Sequence, residues 1–82
     1  MEKRNEDPQI FSNMVEVFKT NIENTSDAHN IVEMLIQFFP GSRINFDLHD
    51  CDKILRVEGN NFSPDEVMYL LSNKGFNCEV LT

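Results

Sequence analysis

The spacing of apolar residues in this chain switches from two to roughly three and a half and back again, twice over. That ordered change of period restricts the fold more than any single motif does. Residues 43–49 alternate strictly, with Ile44, Phe46 and Leu48 set against Arg43, Asn45, Asp47 and His49. Successive side chains on a strand point to opposite faces, so this run predicts a strand with one wet face. Asp50, Cys51 and Asp52 supply a turn. Residues 53–58 then alternate again, Leu55 and Val57 inward and Arg56 and Glu58 outward, which makes the two runs a hairpin.

On either side of that hairpin the period lengthens. Between residues 26 and 39, Ala28, Ile31, Val32, Leu35, Phe38 and Phe39 recur at three- and four-residue spacing, the mark of a helix with one buried face. Asn24, Thr25 or Ser26 can each cap it, Asp27 suits the positive end of its dipole, and Pro40-Gly41 ends it. The second helix opens with Ser63 as cap, Pro64 at the first helical position and Glu66 reaching back as a capping-box partner. Val67, Leu70 and Leu71 form its apolar stripe, and Gly75 closes it in a left-handed conformation with Phe76 folded back on Leu71. Residues 13–22 are rich in β-branched and aromatic residues and read as a first strand. Its inward side is open to two readings: Val15 and Val17 point one way, Met14, Phe18 and Ile22 the other. Residues 77–81 alternate as a last strand, with Cys78 on the apolar side, where a buried and inert thiol is expected.

The order is strand, helix, strand, strand, helix, strand. It predicts an α+β, ferredoxin-like βαββαβ sandwich, a four-stranded antiparallel sheet with two helices on one face. Crossover handedness then brings three loops to one end: residues 22–26, the turn around Cys51, and the Lys74-Gly75 corner. Residues 1–12 are polar and charged, broken by Pro8, and read as a flexible tail to which Ile10 and Phe11 add the only apolar groups. The domain is therefore expected over residues 13–82, near the lower size limit for an independent core.

A net charge of −7 argues against nucleic acid and against anionic membrane surfaces, since the seven basic residues are scattered and form no patch. A basic protein surface is the better electrical match. Cys51 and Cys78 are too few for a disulfide framework, and no segment reads as a signal peptide or membrane span. A cytoplasmic protein is the resulting expectation. With two histidines far apart in sequence, no acid–base or nucleophile constellation can be argued, so an enzyme is not expected.

The chain resembles the heavy-metal-associated domain, the fold of small copper chaperones and of the N-terminal modules of metal-transporting ATPases. The resemblance spans roughly residues 15–81 and rests on "FFPG" at 38–41, "RVEG" at 56–59, "SPDEVMYLLSNKGF" at 63–76 and "CEVL" at 78–81, in that order and spacing. The family's motif is a Cys-x-x-Cys at the start of the first helix. Counted back from Pro40, its positions fall at Thr25 and Ala28. A hydroxyl and a methyl cannot replace two thiolates toward a soft cation. The resemblance therefore implies a degenerate module, without cofactor, that acts by binding another protein or a second copy of itself. Ile54, Arg56 and Glu58, on the helix-free face, and the edge strand at 43–49 are the contact candidates.

Two alternatives accompany that reading. His29, His49, Cys51 and Asp27 can supply a rebuilt site for zinc or copper, the chain then being a metal carrier or sensor. The plainer reading of the same residues is that Asp50 and Asp52 form a turn, Asp27 meets the helix dipole and His29 lies on the wet side. A small-molecule sensor, whose pocket would form between copies, is the third reading.

Overall fold

The computed structural model describes residues 14–81. The tail expected over residues 1–12, with Ile10 and Phe11, lies outside the described residues. Six elements follow in the anticipated order: β1 (Met14–Thr20), α1 (Thr25–Phe38), β2 (Arg43–Asp47), β3 (Ile54–Gly59), α2 (Pro64–Asn73) and β4 (Cys78–Val80). The strands form one antiparallel sheet in the order β2-β3-β1-β4, and the fold is the ferredoxin-like α+β sandwich. α1 packs on the β2 side of the sheet and α2 on the β4 side.

Register settles the parity of β1. Phe18 lies opposite Leu55 on one neighbour and Val80 on the other, all three on the helix side. Phe18, Ile22 and Leu55 are fully buried, as are Leu35, Val57, Val67 and Leu71. Burying a side chain of this size contributes about 1.5–3 kcal/mol, so these positions hold the layers together. Ile22 reaches the core from beyond the strand: β1 ends at Thr20, two residues before the expected limit.

The caps show which local signals were used. Asn24, of the three candidates, caps α1: its Oδ1 accepts the Asp27 N–H at 2.8 Å. At the other end of α1 the Ser42 N–H reaches the Phe39 carbonyl at 3.2 Å, with Pro40 and Gly41 (φ +89°) between them, the chemistry of a type II turn. Ser63 is the N-cap of α2, but its side chain makes no capping hydrogen bond, and the expected box with Glu66 does not form. Pro64 already removes one free N–H from that first turn, and Glu66 turns toward the groove between the helices. At the C-terminus of α2 the Phe76 N–H donates to Leu71 at 3.0 Å and the Gly75 N–H to Ser72 at 2.9 Å, a Schellman pair.

Gly75 holds φ +89°, and a Cβ there would touch nothing within 4 Å. The cost of a side chain is then backbone strain alone, about 1 kcal/mol. Gly75→Ala is expected to lower unfolding stability by that amount in a urea titration, and Gly75→Asn by less.

Candidate functional site

The hairpin turn is tied to β1 by a hydroxyl. Thr20, the buried polar residue of the core, donates from Oγ1 to the Lys53 carbonyl at 2.7 Å, accepts from the Ile22 N–H at 3.2 Å, and receives the turn through its own N–H on the Asp52 carbonyl at 3.1 Å. Lys53 takes a left-handed φ of 48° to make the turn, and its Nζ closes onto the Leu48 carbonyl at 3.1 Å. The Asn77 N–H donates to Asn21 Oδ1 at 2.9 Å, which brings in the corner after α2. Three loops thus converge at one end, as crossover handedness required. Thr20 itself was not legible as their clasp, because its partner lies 33 residues away.

The candidate metal ligands gathered at that end fall into three groups. His29 and His49 line a groove of about 380 Å³ between α1 and the end of β2, together with Thr25, Ala28 and Asp47. Thr25 and Ala28, the positions compared above with a Cys-x-x-Cys pair, and both imidazoles thus share one depression. Asp27 faces the opposite flank of α1, toward Lys74 and Phe76, and one of its oxygens already accepts from Asn24 Nδ2 at 2.9 Å. Cys51 stays in the turn with Asp50 and Asp52, whose donor atoms lie within 4.8 Å of one another. Among the described residues that trio is the one set of three such donors so close. It is consecutive in sequence, and Asp50 Oδ1 is engaged by the Asp52 N–H at 2.8 Å. The groove holds no sulfur donor, so it does not fit the soft cation that the family's thiolate pair would hold.

The cysteines differ sharply. Cys51 is exposed, whereas Cys78 is half-buried rather than enclosed as expected. Burial, aided by the neighbouring Glu79 carboxylate, pushes the Cys78 thiol up from its ordinary 9.0 to about 12. An apolar setting penalises the thiolate, so this sulfur is a packing group.

The contact candidates lie where alternation put them, on the face without helices. Arg56 is exposed and its Nη1 meets Glu58 Oε1 at 3.3 Å. Ile54 is half-buried rather than exposed, since Lys19 and Asp47 flank it on adjacent strands. Val15 and Val17 continue the apolar line along β1. Lys19, Arg43 and Arg56 share this face with Asp47, Glu58 and Glu79, so its charges balance.

Phe38 and Phe39 adjoin at the end of α1, and of such a pair the sequence sends at least one into the core and leaves the other free to form part of an exposed apolar spot. Phe38, expected in the α1 stripe, stands 59% exposed while Phe39 takes the core place, and Tyr69 on α2 is 65% exposed. The signal lay in aromatic residues set one position off each apolar stripe. No helix among the described residues is long and apolar enough to cross a membrane. Comparison with known protein families, with characterised proteins and with solved structures finds no match to this chain.

Alkylation separates the two thiols. At neutral pH Cys51 is expected to react with iodoacetamide at the rate of a free thiol, and Cys78 only on unfolding, read by mass spectrometry of the digested protein. Because the folded protein penalises the Cys78 thiolate, stability is kept in full below the unfolded thiol's 9.0 and falls as pH climbs from there toward about 12.

Proposed function

We propose that this chain is a non-enzymatic binding module of the heavy-metal-associated type, without that family's thiolate pair, working by contact with another protein or with a second copy of itself. The observation that carries this reading is the helix-free face of the sheet. There Val15, at 46% exposure, lines up with Val17 and Ile54 inside a ring of balanced charge. A chain with a net charge of −7 repels its own copies over most of its surface. A face with as many cations as carboxylates escapes that penalty and can close on a like face by two-fold symmetry. The outer side of β2 carries Arg43, Asn45 and Asp47, and charged side chains on a short edge discourage strand-to-strand addition, so the face is the better contact.

The Ile54→Lys variant tests the assignment. Sedimentation velocity over a concentration series is expected to show association in the parent protein and its loss in the variant. An identical monomer–dimer balance in the two proteins would remove this face from consideration.

A second reading has its own support in the groove that His29 and His49 share. Neutral imidazole suits zinc and copper, and Asp47 lines the same groove, although its carboxylate and the two imidazoles do not form a set of donors within 4.8 Å of one another. This carrier or sensor reading expects zinc to raise the melting temperature by linkage, with His49→Ala abolishing the rise. The leading reading expects no rise in either protein.

A further inference from the structure

The two helices face each other across a groove whose lower half is walled by aromatic rings. Phe38 on α1 and Tyr69 on α2 border a cleft of about 370 Å³, with Phe39 and Leu70 also lining it and Glu66 and Asn61 at its polar rim. The Phe38 ring is not a loose end. It lies 6.5 Å from Phe39, which meets Phe62 edge-on at 6.4 Å, so a row of three rings runs from solvent into the core. Phe39 and Phe62 are 5% and 8% exposed, and they hold the outer ring in place from below. An aromatic wall fixed in advance gives up little side-chain entropy on binding, and its apolar surface is large.

Charge narrows what can fill the cleft. Between them α1 and α2 carry Asp27, Glu33, Asp65 and Glu66, and neither helix contains a lysine or arginine. The described cations lie elsewhere: Lys19, Arg43 and Arg56 on the sheet, Lys53 in the hairpin, and Lys74 at the C-cap of α2. The helix layer therefore concentrates the acidity that the sheet face lacks. A second copy presenting the same layer would bring carboxylate against carboxylate, an arrangement that costs association energy.

We infer that the cleft between the C-terminal end of α1 and α2 is a docking site for a basic amphipathic helix of another protein, one that inserts a large apolar side chain between Phe38 and Tyr69 and sets lysine or arginine against Glu66 at the rim. The cleft is bordered by the C-terminal end of α1 and the first two turns of α2, so one anchoring side chain and the turn of helix that carries it are what it seats. This surface is distinct from the helix-free face, and occupation of one leaves the other open.

The chain contains one tyrosine and no tryptophan, so its ultraviolet emission reports on Tyr69 alone. The probe is a synthetic amphipathic peptide of leucine and lysine, and its control has the same apolar pattern with glutamate in place of lysine. The lysine peptide is expected to change Tyr69 emission saturably, with affinity falling as salt is added. Phe38→Ala should weaken that binding about tenfold, the effect of removing one central anchor, and Glu66→Lys should weaken it too. Phe38 is largely solvent-exposed, so the variant should keep the parent's circular dichroism and melting temperature. Equal affinity for the Phe38→Ala protein, or equal binding of the glutamate peptide, would overturn the assignment. Emission that shifts with protein concentration alone would overturn it as well, in favour of a second copy as occupant. The Ile54→Lys protein should bind the lysine peptide as the parent does, whatever its own association state.

Discussion

The placement of Phe18 at the centre of the sheet is the constraint from which the rest follows. β1 pairs with β3 on one side and β4 on the other, and Phe18 is the position where Leu55 and Val80 flank it on the same face. A strand has a side-chain period of two, so a slip of one residue would turn Phe18, Thr20 and their neighbours outward together. Val15, Val17 and Lys19 would then be forced beneath the helices. Burying Lys19 without a partner would cost more than the valines return, and the register is fixed by that difference.

Thr20 extends this constraint to the end of the domain where the three loops meet. Its hydroxyl links the end of β1 to the hairpin turn and also serves the Ile22 N–H, so the loop leaving the sheet and the turn beside it share one anchor. A buried hydroxyl must be satisfied, and here it is satisfied twice. The same geometry keeps Cys51 with Asp50 and Asp52 in the turn while His49 lines the groove beside α1. The four residues named as a possible metal set are neighbours at one end of the domain, yet they face three directions.

The distribution of charge gives the two broad surfaces different electrical characters. The sheet face combines a short apolar line with balanced charges, and the helix layer combines an aromatic cleft with two helices that carry four carboxylates and no lysine or arginine. The self-contact proposed for the sheet face and the basic partner proposed for the cleft both rest on that contrast, because electrostatic complementarity selects partners more strongly than it adds affinity. In a domain this small both surfaces sit on one core. The aromatic row of Phe38, Phe39 and Phe62 and the buried Leu55 and Val57 hold them rigidly to it.

The order of elements, the inward residues of both helices except at Phe38, those of β2 and β3, and the left-handed Gly75 were legible in the sequence. Each rests on a local period or a single backbone preference, and such signals act within a few residues of themselves. The parity of β1 was not, since apolar residues stood on both of its sides and only pairing with two neighbouring strands could choose between them. Nor could local pattern foresee which of Phe38 and Phe39 would stand in solvent, that Glu66 would leave its cap for the cleft, or that Thr20 would clasp Lys53. Those outcomes depend on distances between segments remote in sequence, and distance across a fold is a property of packing, which periodicity does not carry.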